Sequence, residues 1–514
     1  MTSPTLLSPI RILSFGFAWY ALWSLIAGLS TYASSHIWFD VCRGFQGAGP
    51  AMLLPNGVAV LGRLYRAGST RKYIAFCAFA ATAPNGFIVA AAFAGIFVQK
   101  TSVGWPLCFY VFAAVLALTA LASIVILPSE EELLAIQRQH EELDRLEGKE
   151  EAHGASASPV DTASASSTVL QGPSTEGQPE PAQAEKAAAP AALQTEHAPR
   201  SEGKSQRQES ASTSAPSSGP PPFDWIGAFL GVSALLLLNV AWSQGGVVGW
   251  ESPQTYILLI VGLLLGAAFV YSSFKLAHPL VPRDVWTGGN ALVLGCVSLG
   301  WASFGIWIFY SWRIWRVIRQ LSILECTAQM VPAGFMGWAA AFGTGVMLRR
   351  AGPGPVLATS MAFFLLGCVL IGTMPAQQTY WTASFFAMLL TPIGMDTSFP
   401  SASIILSDHL PHSRQGQAGS LVNTCINWSI AIGLGVGGTV ERYITARLER
   451  EGRLEPDEIT FKGFRSALYV AMGLASLGVL LSLVNWAIVV RQQARQRRNG
   501  AHAADGKLEA AGAH

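Results

Sequence analysis

Charge is what this 514-residue chain has least of: Asp, Glu, Lys and Arg make up 12% of it, about half the roughly 25% of an ordinary soluble domain. That excludes an ordinary soluble enzyme. It also excludes a nucleic-acid binder whose affinity rests on a basic face. Cysteine patterns for metal are lacking too. Cys42, Cys77, Cys108, Cys296, Cys326, Cys368 and Cys425 all lie in apolar runs, with no CxxC and no histidine at metal spacing. They read as small buried hydrophobes rather than a disulfide scaffold. No GxxxxGK[ST] phosphate loop occurs, so ATP drive has no support. No Ser/His/Asp or Cys/His arrangement stands out, and His36, His278, His409 and His412 fall at loop edges. The chain reads as no enzyme, with no cofactor and no metal. Its N-terminus lacks a short apolar core followed by a cleavage site, so the first apolar run is read as a retained span.

What is present is apolar and unevenly charged. Residues 129–222 hold 16 of the 31 Asp and Glu but only 7 of the 33 Lys and Arg. The remaining residues are apolar and slightly basic. A bilayer core takes about 20 apolar residues per helix. Runs of that length fall near 11–32, 37–61, 73–98, 105–127, 224–243, 254–274, 288–310, 321–347, 355–374, 381–405, 418–439 and 465–490. The expected fold class is therefore all-α, a polytopic helical membrane protein with about twelve spans. Glycines at Gly295, Gly300 and Gly305, and at Gly433, Gly435, Gly437 and Gly438, suit the close helix approach that membrane packing needs.

Lys and Arg set the orientation. With the N-terminus cytoplasmic, the inner loops hold Arg63, Arg66, Arg71 and Lys72, then Lys275 and Arg283, then Arg349 and Arg350, then Arg414. The tail adds Arg491, Arg495, Arg497 and Arg498, so both termini are expected to be cytoplasmic. Two outer segments go against the rule. SWRIWRVIRQ carries Arg313, Arg316 and Arg319, and reads as an interface helix whose arginines reach headgroups. Residues 441–463 read as a long loop of mixed charge. Within the acidic block, 129–152 is expected to be helical with Ser129 as its cap. Residues 153–222 are expected to be disordered, as is the tail 491–514. A plain linker is favoured over a phosphorylation-regulated segment.

The second span and its loop, FDVCRGFQGAGPAMLLPNGVAVLGRLYRAGSTRKY, resemble the fourth helix of major facilitator superfamily drug:proton antiporters, on Arg43, Gln46, Gly47 and Gly49, with Pro55 and Asn56 following. The third span is similar to that family's antiporter motif around Pro84 and Gly86, with Ile88 and Val89 in place of later glycines. Residues 391–441, TPIGMDTSFPSASIILSDHLPHSRQGQAGSLVNTCINWSIAIGLGVGGTVE, look like the fungal aminotriazole-resistance-like branch of the 14-helix antiporters. The first span here resembles the family's third helix. The resemblance thus implies fourteen spans minus two, from a truncated or misannotated gene model or from a shortened protein. The domains expected are an incomplete four-span bundle at 1–128, the cytoplasmic block 129–222, two extra spans at 223–287, a six-span bundle at 288–490, and the tail.

Ionisable groups inside hydrocarbon default to functional candidates. Asp40 and Arg43 are spaced i, i+3, on one face. The resemblance implies that Arg43 faces the proton pathway; the alternative is an Arg pairing Asp40 and carbonyls to fix packing. Glu325 is either a titrating carboxylate or a solvated one near the outer interface. Asp396 lies beside Pro392, Gly394 and Pro400, either in the pathway or at the cytoplasmic end. Asn423 and Asn427 suit substrate binding and helix gluing equally. Gly47, Gly49, Pro55, Pro84 and Gly86 form the conformational motif. The resemblance implies proton-coupled efflux of small toxic compounds or drugs, with a small-molecule substrate, protons and the lipid bilayer as partners, no nucleic acid, a monomer, and the plasma or vacuolar membrane as the site. The rival readings are a non-transporting sensor or partner-binding membrane protein, and a nutrient or siderophore transporter on the same fold.

Overall fold

The computed structural model describes residues 9–33, 36–65, 70–156, 223–276, 278–281, 283–286, 288–408 and 415–512. Two compact units divide the chain, 1–142 with 222–514, and 143–221. Among the described residues the structure is helical and carries no strand. In order come α1 (Pro9–Leu29), α2 (His36–Leu64), α3 (Thr70–Lys100), α4 (Pro106–Ile126), α5 (Glu130–Ser156), α6 (Trp225–Val247) and α7 (Pro253–Lys275). Then follow α8 (Gly288–Arg313), α9 (Ile323–Ala351), α10 (Pro353–Thr373), α11 (Ala383–Asp408), α12 (Gln415–Glu451) and α13 (Pro456–Gly512). A π-helical turn, Ile314–Ile318, follows α8.

Each of the twelve expected spans coincides with one helix. Among the described residues nine of them, α1, α4, α6 to α10, α12 and α13, are long and apolar enough to cross a membrane. The others, α2, α3 and α11, have 29, 31 and 26 residues, more than the roughly 20 that a bilayer core takes. The chain is an integral membrane protein of all-α class.

Local chemistry sets the helix ends. Asp224 caps α6 by accepting a hydrogen bond from Gly227 N at 2.7 Å. Pro106, Pro253 and Pro353 open α4, α7 and α10, where a missing N–H costs nothing. Gly352 (φ +77) and Gly452 (φ +60) end α9 and α12 in a backbone conformation that a side chain disfavours. Ser129 caps α5, with Glu132 N donating to Ser129 Oγ at 3.3 Å and Ser129 N donating to Glu132 Oε2 at 2.7 Å.

Three sequence expectations are corrected. The mixed-charge segment 441–463 is not a long loop. Helix α12 runs to Glu451 and α13 begins at Pro456, and the charges pair along the helices, Arg447 with Glu451 and Lys462 with Glu458 at i, i+4. The tail is not irregular, since α13 continues to Gly512. Its Ala, Arg, Gln and Glu are good helix formers, and adding residues to an existing helix avoids the cost of nucleation. Helix α5 extends to Ser156, four residues past its expected end. The rest of the segment expected to be disordered, 157–222, lies outside the described residues, as do Arg66 and Arg414.

Helix packing falls into groups. Helix α1 lies between α2 and α4. Helices α8, α10, α11 and α13 build the core around Trp307, Tyr310, Phe364 and Phe464. Helix α6 packs on α7 and on α12. Glycine makes these approaches possible. A Cβ on Gly435 would stand 2.8 Å from the Trp242 backbone, and one on Gly433 would stand 2.5 Å from Ala302 O. The broadest contact between α1–α4 and the later helices is α3 against α9, where Gly95 meets Ile323 and Leu324 and Gly334 meets Ile88.

Candidate functional site

In the N-terminal group the expected Asp40–Arg43 pair does not form. No ion pair joins them among the described residues, and Asp40 is exposed. Arg43 instead donates to Gln46 Oε1, one turn along the same helix. Gln46 is 2% exposed and its amide donates to Ser24 Oγ of α1 at 2.6 Å. Ser24 Oγ in turn donates to Tyr20 O at 2.6 Å. The Arg43 guanidinium lies 5.7 Å from the Phe109 ring centre on α4. Arg43 thus heads a relay of polar groups from α2 into α1. Gly49 lets α2 approach Tyr20, whereas Gly47 and Gly86 face open space. Pro55 lies inside α2 and is exposed. Pro84 lies within α3, and its side chain is outside what the structure describes.

In the C-terminal group Asp396 sits on α11 between Pro392 and Pro400. Its Oδ2 is buried and has no hydrogen-bond partner. Its surroundings are rich in hydroxyls. Ser360 Oγ and Thr397 Oγ1 share a hydrogen bond of 2.6 Å, Trp301 Nε1 donates to Ser398 Oγ at 3.0 Å, and Thr344 Oγ1 donates to Asp396 O at 3.4 Å. Helices α8, α9 and α10 thereby converge on this stretch of α11.

Glu325 has a different place. It is exposed in the first turn of α9 and completes a capping box. Glu325 N donates to Ser322 Oγ at 3.2 Å, and Ser322 N donates to Glu325 Oε2 at 2.7 Å. The carboxylate satisfies helix-start N–H groups. Glu325→Ala is therefore expected to lower the stability of the folded protein by about 1 kcal/mol, with transport per folded molecule unchanged. A thermal melt in detergent alongside a transport assay at matched abundance checks both halves. Asn423 and Asn427 bond to each other: Asn427 Nδ2 donates to Asn423 O at 2.8 Å and to its Oδ1 at 3.2 Å.

The arginines of the segment after α8 do not reach for headgroups. Arg313 pairs with Glu441, Arg316 donates to Leu321 O, and Arg319 donates to Ala376 O at 2.9 Å. Trp315 is fully buried. These residues staple the end of the bundle, which is why they break the positive-inside pattern. Glu441 was hidden from sequence reading because its partner stands far away in the chain. The visible signal was the helical i, i+4 charge pattern of 441–451. Beside this pair lies a cavity of about 610 Å³ between α6, α8 and α12. No group of three or more metal-binding side chains is found among the described residues.

Comparison with known proteins agrees with this architecture. The sequence profile of the Major Facilitator Superfamily matches residues 5–344 and 326–510. The chain is 36% identical over 481 residues to the low affinity ammonium transporter of Saccharomyces cerevisiae, covering 93% of this chain and 76% of that protein. It is 31% identical to the efflux pump terJ of Aspergillus terreus, over 92% of this chain and 73% of the pump. It is 28% identical to the aminotriazole resistance protein of Saccharomyces cerevisiae, over 92% and 70%. A polytopic helical membrane chain with these relatives is a membrane transporter, and it belongs to the Major Facilitator Superfamily.

Proposed function

We propose that the protein is a proton-coupled exporter of small toxic organic compounds, acting as a monomer in the plasma or vacuolar membrane with both termini cytoplasmic. The observation that carries this reading is Asp396. A buried carboxylate oxygen without a partner is costly when charged, and a bound proton removes that cost. The acid lies between two helix-interior prolines, where α11 can change shape. Proton binding that favours one conformation over another is what coupling requires. The relay Arg43–Gln46–Ser24 is the polar counterpart in the other group of helices. Rocking of the two groups about the α3–α9 contact exposes the space between them to alternate sides. The names of two relatives, an efflux pump and an aminotriazole resistance protein, support export.

A second reading, a carrier of ammonium, is favoured by the relative of 36% identity that bears that name. One experiment separates them. The protein is expressed in yeast cells preloaded with labelled aminotriazole, and efflux is followed with and without a protonophore. A parallel culture is given labelled methylammonium. Protonophore-sensitive aminotriazole efflux supports the exporter. Methylammonium uptake with no aminotriazole efflux supports the ammonium carrier and overturns the first reading.

A further inference from the structure

Glu441 has both carboxylate oxygens occupied. Arg313 Nη1 donates to Oε1 at 2.7 Å and to Oε2 at 2.8 Å, and Tyr310 Oη donates to Oε2 at 2.6 Å. The Arg313 guanidinium lies 4.2 Å from the Phe464 ring centre on α13. Helices α8, α12 and α13 therefore close on one ion pair, at the point where α8 gives way to its π-helical turn. The pair is not sealed. The Arg313 and Glu441 side chains are 34% and 18% exposed, and both line the cavity between α6, α8 and α12.

Other groups facing Glu441 are few. Helix α8 contributes Tyr310 and Arg313. Helix α6 contributes Ser243, Gly246 and Val247 to the same cavity, none of them titratable. Helix α13 places Gly463 against the Glu441 side chain. On α12 itself the charged neighbours are Arg442, which donates to Val247 O, and Glu449. The positive charge close to Glu441 thus comes from Arg313, held by charge pairing and by the aromatic ring.

We propose that Glu441 is a second coupling carboxylate of the transport cycle. A proton taken up from the cavity ends its charge pairing with Arg313 and unfastens the π-helical end of α8 from α12 and α13. The inference rests on the proton-coupled reading above. The proton moves from cavity water to a Glu441 oxygen, Arg313 keeps its charge, and the pair goes from neutral to singly positive. Removing the charge of one member of a buried pair leaves the other uncompensated, which is strongly unfavourable, so Arg313 turns toward the cavity. A π-helical turn is a common site of such local rearrangement.

The test uses the purified full chain in lipid nanodiscs and needs no substrate. Amide exchange of the segment 306–321 is compared at about pH 7.5 and about pH 5, with times scaled for the intrinsic pH dependence of exchange. Wild type is expected to exchange roughly fivefold faster at the lower pH in this segment, with the α10 core segment 356–371 unchanged. Glu441→Gln should be fast at both values. Tyr310→Phe removes a donor that favours the charged carboxylate, so its transition should move to higher pH. Exchange in wild type that ignores pH overturns the proposal, as does slow exchange in Glu441→Gln at both values. If Glu441→Gln loosens α10 as well, it has unfolded, and Tyr310→Phe then decides: a shifted transition supports the proposal and an unshifted one overturns it. The coupling reading is checked separately by protonophore-sensitive efflux. A pH transition in a protein whose efflux ignores the proton gradient removes the coupling role while leaving the release of Arg313 intact.

Discussion

Asp396→Asn is expected to cut gradient-driven export about 100-fold, near the upper end of the 1–3 kcal/mol, roughly 5–150-fold, that couples one site to another. The amide keeps the size of the side chain and the hydrogen-bonding capacity of its carbonyl oxygen. It cannot load and unload a proton. Exchange of labelled substrate across the membrane without net proton movement should therefore survive, while uphill export fails. Asp396→Glu should recover part of the uphill activity, because the acid is kept and only its position moves. Efflux measured with and without an imposed pH gradient, at matched abundance, distinguishes these outcomes. Equal loss of exchange and uphill export in Asp396→Asn would show that the residue holds the fold or the substrate instead of coupling the proton.

The second large effect is steric. Gly433→Ala would place a Cβ 2.5 Å from Ala302 O and 2.8 Å from Ala302 Cα. Both atoms belong to the α8 backbone, so no side-chain rotation relieves the contact and the two helices must separate. Overpacking typically costs about 1–3 kcal/mol, and a backbone-to-backbone clash belongs at the top of that range. Gly433→Leu should leave no monodisperse protein in detergent. Gly473→Ala on α13 provides the control. Nothing lies within 4 Å of a Cβ built there, so the higher helix propensity of alanine should stabilise the protein by about 0.5–1 kcal/mol. A melting series of the three variants reads this contrast directly. A Gly433→Ala protein as stable as Gly473→Ala would overturn the assigned packing of α8 against α12.

These sites differ in how visible they are from sequence. A span announces itself, because a lipid-crossing helix needs some twenty apolar residues in a row, and each of the twelve apolar runs became a helix. Asp396 was visible for the same reason, as a carboxylate inside such a run. Pairing is a different matter. Asp40 stood one turn from Arg43, yet Arg43 turned the other way to Gln46, because Ser24 on α1 extends that relay into the bundle. Glu325 carried its own signature, a serine three residues before a glutamate at a helix start, and that pattern outweighed the inference from an ionisable residue near an apolar run. Glu441 was hidden because short-range charge patterns do not reveal a partner on another helix.

The Arg313–Glu441 pair also bears on how the chain is made. The two residues are 128 positions apart. At a synthesis rate of about 5–20 residues per second, the glutamate emerges on the order of ten seconds after the arginine. Arg319 waits for Ala376 as well, over 57 positions. The end of α8 therefore enters the bilayer with guanidinium groups whose protein partners do not yet exist. During that interval water or lipid phosphate must serve them, and α8 cannot settle into its final depth. The membrane-insertion machinery meets a helix whose affinity for the bilayer is lower than that of the finished protein, and which improves only once α12 arrives. A ribosome stalled between the two would hold α8 in its least secure state, making this stretch the place where biogenesis depends most on the tempo of translation.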